Sequence, residues 1–192
     1  MPPKVKVTKK DIVETALALC RGNGPSAVNA RAIAAVLGCS TQPIFSNFAT
    51  MEALEQATLE AAYACYLGFL TREAARGEYP IYKAYGMAYI RFAREERELF
   101  RLLFMCDREG KEPIATPDFD ASVDMIMKAS GISRERAHLL HLEMWSAVHG
   151  IATMLATSFL TLDWELISRM TSDIYQGVCA KHVSEERANE SH

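Results

Sequence analysis

The stretch Ala30–Phe48, ARAIAAVLGCSTQPIFSNF, has the pattern of two short helices joined by a tight turn. Each segment carries two apolar residues one helical turn apart, which is typical of a helix with one buried face: Ile33 with Leu37, then Ile44 with Phe48. Gly38 lies between the segments and can adopt the left-handed conformation that ends a helix. The stretch therefore predicts a helix-turn-helix, whose second helix enters the major groove of DNA.

Polar residues at the helix starts support this interpretation. Asn29 is placed to cap the first helix and Ser40 to cap the second, where Pro43 is tolerated in the first turn. Once Ile44 and Phe48 face inward, short polar side chains are left on the outer face of the second helix. These side chains are candidates for contacts to base edges and nearby phosphates: Thr41, Gln42, Ser46 and Asn47.

The segment from about Thr8 to Leu54 resembles the DNA-binding domain of the tetracycline-repressor (TetR) family. A second similarity lies downstream, where Trp145-Ser-Ala-Val-His149-Gly150 resembles the Trp-x-x-x-His-Gly signature of one class of ligand-binding domains in that family. Residues 91–93 and 99–102 resemble the same class. The resemblance implies an all-α chain with a helix-turn-helix domain over residues 1–50. A helical ligand-binding and dimerisation domain would follow over residues 51–192.

The resemblance also implies which residues meet the DNA backbone, although two positions depart from the family pattern. Phe45 stands where the family usually has a tyrosine that bonds a phosphate, and Met51 lies near a usual lysine. Phe45 can offer only apolar contact, to a sugar or to a thymine methyl group. We therefore expect fewer backbone contacts than usual, made by Thr8, Lys9, Lys10, Arg31 and Phe45, with Ser40 at the turn.

The charge is unevenly distributed along the 192 residues. Residues 1–50 carry six Lys or Arg against two Asp or Glu, whereas residues 51–192 carry fifteen against twenty-two. A basic segment on an acidic chain favours polyanion binding by the first fifty residues, and a chance distribution of solvated charges is the alternative.

Other sequence features bear on the compartment. The five cysteines are widely spaced with no Cys-x-x-Cys pair, which favours a reducing cytoplasm over a disulfide framework or a zinc site. No signal peptide is expected, because no apolar segment follows Met1–Lys10. Residues 144–162 lack formal charges, but they include His149 and five hydroxyl side chains, so we expect a buried helix and no membrane span.

Helical periodicity continues through the rest of the chain. We expect a helix from Thr50 to about Arg76, another from Ser133 to about Leu160, and a last one capped by Asp163. Residues 107–117 are predicted as a loop, Asp118 as the start of the following helix, and Val183–His192 as a fraying end.

The last two helices are apolar around more than one face, which predicts that a second subunit covers them in a four-helix bundle. A two-fold dimer would read a near-palindromic operator with half-sites about 34–36 Å apart. The apolar stripe of the last helix supplies the predicted interface residues: Ile167, Met170, Ile174 and Val178.

Soft and aromatic residues on several helices predict a cavity for a small apolar effector, with ordinary core packing as the alternative for each residue. The candidates are Tyr66, Phe69, Met87, Tyr89, Phe104, Met105, Met144, Trp145 and His149.

Other site chemistries receive less support. A metal site formed by His138, His141, His149 and Glu143 is conceivable from their spacing, but the chain is expected to need neither metal nor cofactor. The sequence has no nucleophile elbow, no phosphate-binding glycine loop and no His-Glu-x-x-His, which argues against an enzyme.

The sequence thus predicts a homodimeric, ligand-responsive transcriptional regulator of the cytoplasm, most simply a repressor. In that prediction, effector binding makes the fourth helix swing the heads off half-site spacing. A helical interaction protein and a constitutive DNA-binding protein remain alternatives.

Overall fold

A computed structural model of the chain describes residues 7–107 and 119–190. Within those ranges the chain is all-α, as predicted, with one 3-10 turn at Pro25–Ala27 and no strand. The helices are α1 (Lys9–Asn23), α2 (Ala30–Leu37), α3 (Gln42–Asn47), α4 (Met51–Arg76), α5 (Ile81–Glu95), α6 (Arg97–Phe104), α7 (Phe119–Ser130), α8 (Arg134–Ala156) and α9 (Trp164–Glu190).

Most helix boundaries agree with the sequence, and two do not. α8 stops at Ala156, before the predicted Leu160, because Ser158 takes a positive φ of 57° and the Phe159 amide bonds to the Met154 carbonyl at 2.9 Å. α9 continues to Glu190, so the predicted fraying from Val183 is wrong. The predicted loop and helix start fall on residues 108–118, outside the described residues, apart from Asp107.

Contacts with α8 explain why the end of α9 stays helical. His182 is buried, and its Nε2 lies 2.8 Å from a Glu143 carboxylate oxygen. Arg136 contacts Glu185 and Glu186, in each case at 2.6 Å. These long-range pairs stabilise a polar segment that local sequence rules treat as a free end.

The described residues pack as two compact units. Residues 7–66 and 96–107 form what we term the head unit, and residues 67–95 and 119–190 form the body unit. The division in packing falls within α4. The predicted domains, 1–50 and 51–192, divide the chain by expected function, and that division stays a prediction.

The head unit has its own apolar core, built from α1, α2, α3 and the start of α4: Ile12, Ala16, Ile33, Ile44, Phe48 and Leu54. The residue that precedes α6 is bonded to α1, because Nε of Arg21 donates to the Glu96 carboxylate at 2.7 Å. Gly24 has a φ of 82°, and a Cβ there would lie 3.1 Å from the Glu98 carboxylate. This close approach favours glycine at the end of α1.

The core of the body unit is shared by α5, α7, α8 and α9. One cluster contains Val123, Ile126, Ile132, Ala137, Leu140 and Met144. Glu73 at the end of α4 is buried, and Arg91 of α5 donates to it in two bonds of 2.9 and 3.3 Å. The same guanidinium covers the Trp164 ring at 4.1 Å, which fixes the start of α9 against α5.

Candidate nucleic-acid interface

The helix-turn-helix geometry predicted for the head unit is present. The Asn29 side chain accepts a bond from the Ala32 amide at 2.9 Å and so caps α2. Gly38 has φ 63° and ψ 34°, the left-handed conformation expected at the turn, and the Cys39 amide bonds to the Ala34 carbonyl at 3.0 Å. The cap of α3 differs from the prediction, because Thr41 and not Ser40 occupies that position and makes no side-chain cap bond.

The faces of α3 separate as predicted into a buried and an outer side. Ile44 and Phe48 lie in the head core, while Gln42, Ser46 and Phe45 are exposed. Phe45 has 49% of its surface exposed, which is unusual for a phenyl ring in a small domain. Ser40 is exposed, and Thr41 and Asn47 are half-buried.

Two polar side chains of α3 are bonded to the helix itself. The Ser46 hydroxyl donates to the Gln42 carbonyl at 2.9 Å, and the Asn47 amide donates to the Pro43 carbonyl at 2.8 Å. Such bonds to the preceding turn are common for short polar residues in helices. The sequence alone did not reveal that these donors are already engaged.

The start of α1 lies close to the end of α3. Thr8 and Asp11 form a capping box, in which the Thr8 amide and hydroxyl donate to the carboxylate at 2.9 and 2.7 Å. These two bonds hold the pKa of Asp11 below its usual range, and the bond from the hydroxyl has the larger effect. The Lys9 ammonium lies 5.0 Å from the centre of the Phe48 ring. α1 therefore presents cations close to the end of α3.

The remaining predicted backbone-contact residues are also on the surface. Arg31 at the start of α2 is exposed, and Lys10 is exposed with a long 3.7 Å ion pair to Glu14. Val36, in the last turn of α2, is 62% exposed and was not singled out from the sequence. It belongs to an apolar run that suggests a core position, so nothing local marked it as exposed.

The predicted effector residues are divided between the two units. Tyr66, Phe104 and Met105 belong to the head unit, where the Tyr66 and Phe104 rings meet edge to face at 5.2 Å. The other six belong to the body unit, where four are nearly or fully buried: Phe69, Met87, Tyr89 and Met144.

Tyr89, Trp145 and His149 form one group in the body unit. The Tyr89 hydroxyl lies 2.8 Å from Nδ1 of His149, and the Trp145 ring stacks on the imidazole at 5.5 Å with a 27° angle between planes. Burial lowers the pKa of His149, which favours its neutral form. Trp145 itself is 44% exposed, so the group extends from the body core to the surface of α8.

At the other conceivable sites on the body unit, the polar side chains already have partners within the chain. His141 bonds Tyr82 at 2.9 Å and His149 bonds Tyr89, so these imidazoles are directed at tyrosines. No group of three or more metal-ligating side chains converges within the described ranges. A groove of about 660 Å³ runs between the start of α8 and the end of α9, and its Arg136 is already paired with two carboxylates.

The predicted α9 interface residues are mostly used by the chain's own core. Ile167 is completely buried within a single chain, which corrects its assignment to a partner-facing surface. Ile174 and Val178 pack against the body core and remain half-buried, as does Met170. A subunit interface on α8 and α9 as such stays a prediction.

α8 instead exposes an apolar stripe that the sequence pattern does not distinguish from its buried face. Leu139, Leu142 and Trp145 are exposed along one side of the helix, followed by Gly150. A Cβ added to Gly150 would meet nothing within 4 Å. The stripe has helical spacing, so only the packing of α8 could decide which of its apolar faces is internal.

Comparisons with known proteins agree with this architecture. Residues 82–172 match the family model described as a tetracyclin repressor-like, C-terminal domain. A solved structure described as a protein with unknown function from Rhodococcus sp. RHA1 is similar, with a TM-score of 0.72 and 21% identity over 92% of this chain and 98% of that chain. At this identity the likeness shows the fold alone. No curated protein matches the chain, and no helix within the described ranges is long and apolar enough to cross a bilayer.

Proposed function

Because this chain belongs to the TetR family of transcriptional regulators, we propose that it is a homodimeric repressor released from its operator by a small apolar effector. The observation that carries the proposal is the outer surface of the head unit. There the exposed side of α3 adjoins the lysines at the start of α1. Cytoplasmic action and control of transcription by occupancy of a near-palindromic duplex are part of the same proposal.

DNA binding follows from the shape and charge of this surface. α3 has buried Ile44 on one side and exposed Gln42 on the other, which suits a helix lying in the major groove. Lys9, Lys10 and Arg31 are exposed on the same unit and supply cations for phosphates. Direct base reading is assigned to Gln42, and positioning to the three cations.

Selection from a randomised duplex pool tests this assignment. The selected duplex should bind with a steep decrease in affinity as salt rises, because phosphate contacts release counterions. Gln42→Ala should reduce the preference for the selected duplex over random DNA by about 1–3 kcal/mol. Gln56 is an exposed glutamine on α4, so Gln56→Ala is the matched control. It should change neither the affinity for the selected duplex nor the preference over random DNA. Equal losses on both DNAs with Gln42→Ala would exclude base reading by that residue.

Dimerisation is assigned to the exposed stripe of α8, with help from α9. Leu139, Leu142 and Trp145 would leave a contiguous apolar surface in water if the chain were alone. The outer side of α9 offers the small residues Gly177 and Ala180, which permit close approach of a helix. Two copies packed through these faces would form a four-helix bundle. A two-fold pair of heads can then occupy two half-sites.

Sedimentation at micromolar concentration tests the dimer. The wild-type chain should sediment as a dimer, and Leu142→Glu should give a folded monomer, because an unpaired charge in an apolar seam is costly. Glu55→Ala, a change at an exposed α4 position of the head unit, provides a comparison outside both proposed interface faces. A wild-type monomer over the whole range would refute the two-half-site arrangement.

The effector is assigned to the body unit, around Tyr89 and His149. These two residues form a polar pair in the unit whose core also holds the soft side chains of Met87 and Met144, a combination that suits a mostly apolar molecule carrying one polar group. Binding must favour one conformer over another to release DNA, so tight binding alone is insufficient. α4 belongs to both units and is assigned the transmission of this change.

A panel of small aromatic and aliphatic molecules tests the effector, with release of a fluorescein-labelled selected duplex as the readout. His149→Gln should change the concentration needed for release more than it changes DNA affinity. His138→Gln, an exposed histidine on the same helix, is the matched control. Compounds that act equally on both variants and on the wild type would place the effector site elsewhere. An apolar interior without a cavity, free and bound to DNA, would leave a constitutive DNA-binding protein.

A further inference from the structure

The hydrogen-bonding groups on the outer side of α3 are fewer than its sequence suggests. The Ser46 hydroxyl has one proton, and it is donated to the Gln42 carbonyl at 2.9 Å. One amide proton of Asn47 is donated to the Pro43 carbonyl at 2.8 Å, and Asn47 is half-buried. Ser46 therefore keeps only acceptor capacity towards a DNA base, while Asn47 keeps one amide proton and its carbonyl oxygen.

Gln42 retains both functions of its amide. Its side chain is exposed and makes no hydrogen bond within the part of the chain that the structure describes. A free carboxamide can donate to N7 and accept from N6 of adenine in one bidentate contact. Gln42 is thus suited to read an adenine.

Phe45 is the next large side chain on the exposed surface. Half of its ring is open to solvent although its neighbours Ile44 and Phe48 are buried. A phenyl ring has no group that bonds a phosphate, and placing it against phosphate oxygens would remove their water without replacement. The ring needs an apolar partner, and in the major groove that partner is the C5-methyl group of thymine.

The spacing of the two residues sets the spacing of the two bases. Gln42 and Phe45 are three residues apart, so they are neighbours on the helix surface, about 4.5 Å apart along its axis. Successive bases on one DNA strand rise about 3.4 Å. Side chains separated in this way can contact adjacent base pairs.

We infer that Phe45 determines specificity by packing on a thymine methyl group, one base pair away from an adenine read by Gln42. This inference rests on the proposed function, because it specifies how the proposed DNA surface reads its half-site. It replaces the phosphate contact of the family's usual tyrosine with an apolar contact to a base.

Deoxyuridine substitution tests the inference, because uracil differs from thymine only by lacking that methyl group. Each thymine of a duplex selected from a randomised pool is replaced in turn, and affinity is measured by fluorescence anisotropy. One thymine in each half-site should be sensitive, with about a fourfold loss for each methyl group removed. In Phe45→Ala the same replacement should have no effect. Lys10→Ala should weaken binding to every duplex yet keep the fourfold ratio.

A second measurement needs no variant. 5-Iodouracil at the sensitive position, irradiated in the complex with the wild-type chain, should cross-link to Phe45, as read by mass spectrometry of the peptides. A cross-link to another residue would overturn the inference.

The outcomes separate this inference from the function on which it rests. Failure to select any preferred duplex would overturn both. A selected duplex without a deoxyuridine-sensitive thymine would overturn only the role of Phe45. A sensitivity that persists in Phe45→Ala would assign the methyl contact to a different residue.

Discussion

Replacing Gly150 by alanine distinguishes a solvent-facing α8 from one that packs on a second subunit. In a single chain a Cβ at this position meets no atom within 4 Å, so the substitution is free of clashes. Alanine is favoured over glycine inside a helix by about 0.8–1 kcal/mol. For a chain of this size that gain corresponds to an increase in unfolding temperature of about 2–4 °C.

A partner helix in close contact reverses the expected effect on association. Inserting a methyl group into a well-packed seam costs about 1–3 kcal/mol, which raises the dissociation constant of the dimer about 5- to 150-fold. We expect Gly150→Ala to give a folded chain that dimerises more weakly. Sedimentation velocity over a concentration series measures the constant, and circular dichroism of dilute protein measures the melting temperature.

Gly22→Ala in α1 is the matched control, since a Cβ there also meets nothing within 4 Å. It should raise the melting temperature slightly and leave the dissociation constant unchanged. If Gly150→Ala behaves in the same way, with a more stable chain and an unaltered dimer, then Gly150 faces solvent and α8 is not the seam.

Three further predictions follow from the packing. Ile174→Glu should lower the unfolding temperature in circular dichroism melts, because Ile174 packs on the core of its own chain. Leu142→Glu, in contrast, should give a folded monomer. If Ile174→Glu also gives a folded monomer, Ile174 lies in the dimer interface instead. Burial lowers the pKa of His149 in the folded chain below the ordinary value of 6.5. The neutral, buried imidazole therefore stabilises the fold fully above pH 6.5, and this stabilisation is lost as the pH falls through the lowered pKa. The unfolding temperature should therefore fall between pH 7.5 and 5, and it should fall less in His149→Gln. If the two chains show the same dependence on pH, the loss of stability belongs to other titratable groups. Gly38→Ala should lower the denaturant midpoint by the equivalent of about 1–2 kcal/mol, because Gly38 has a φ of 63°; a midpoint equal to that of the wild type would contradict the left-handed turn.

Local rules account for what the sequence could predict. The capping box of Thr8 and Asp11, the left-handed Gly38 and the cap of α9 by Asp163 each depend on residues within a few positions of one another. The alternation of buried and outer residues in α3 depends only on helical periodicity. Such features are decided before any distant part of the chain is in place, so one sequence suffices to find them.

Distant partners account for what could not be predicted. α8 is apolar on more than one side, and only its contacts with α5, α7 and α9 decide that Met144 is buried while Trp145 is exposed. The same limitation misplaced Ile167, whose apolar character fits a core and an interface equally well. The polar end of α9 is helical because Arg136 and Glu143 lie opposite it, and their positions follow from the tertiary fold.

The bonds within α3 connect recognition to assembly. With the Ser46 hydroxyl proton and one Asn47 amide proton bonded to the helix backbone, α3 has fewer free donors for the proposed DNA contacts than its sequence suggests. If Gln42 and Phe45 supply most of the discrimination, a single half-site offers a few kcal/mol of preference at most. A dimer that contacts two half-sites doubles the free-energy difference between the operator and random DNA. The ratio of the two affinities is then squared. The apolar stripe of α8 would then contribute to specificity as much as α3 does, because a monomer with this recognition helix could not select one site among the many of a genome.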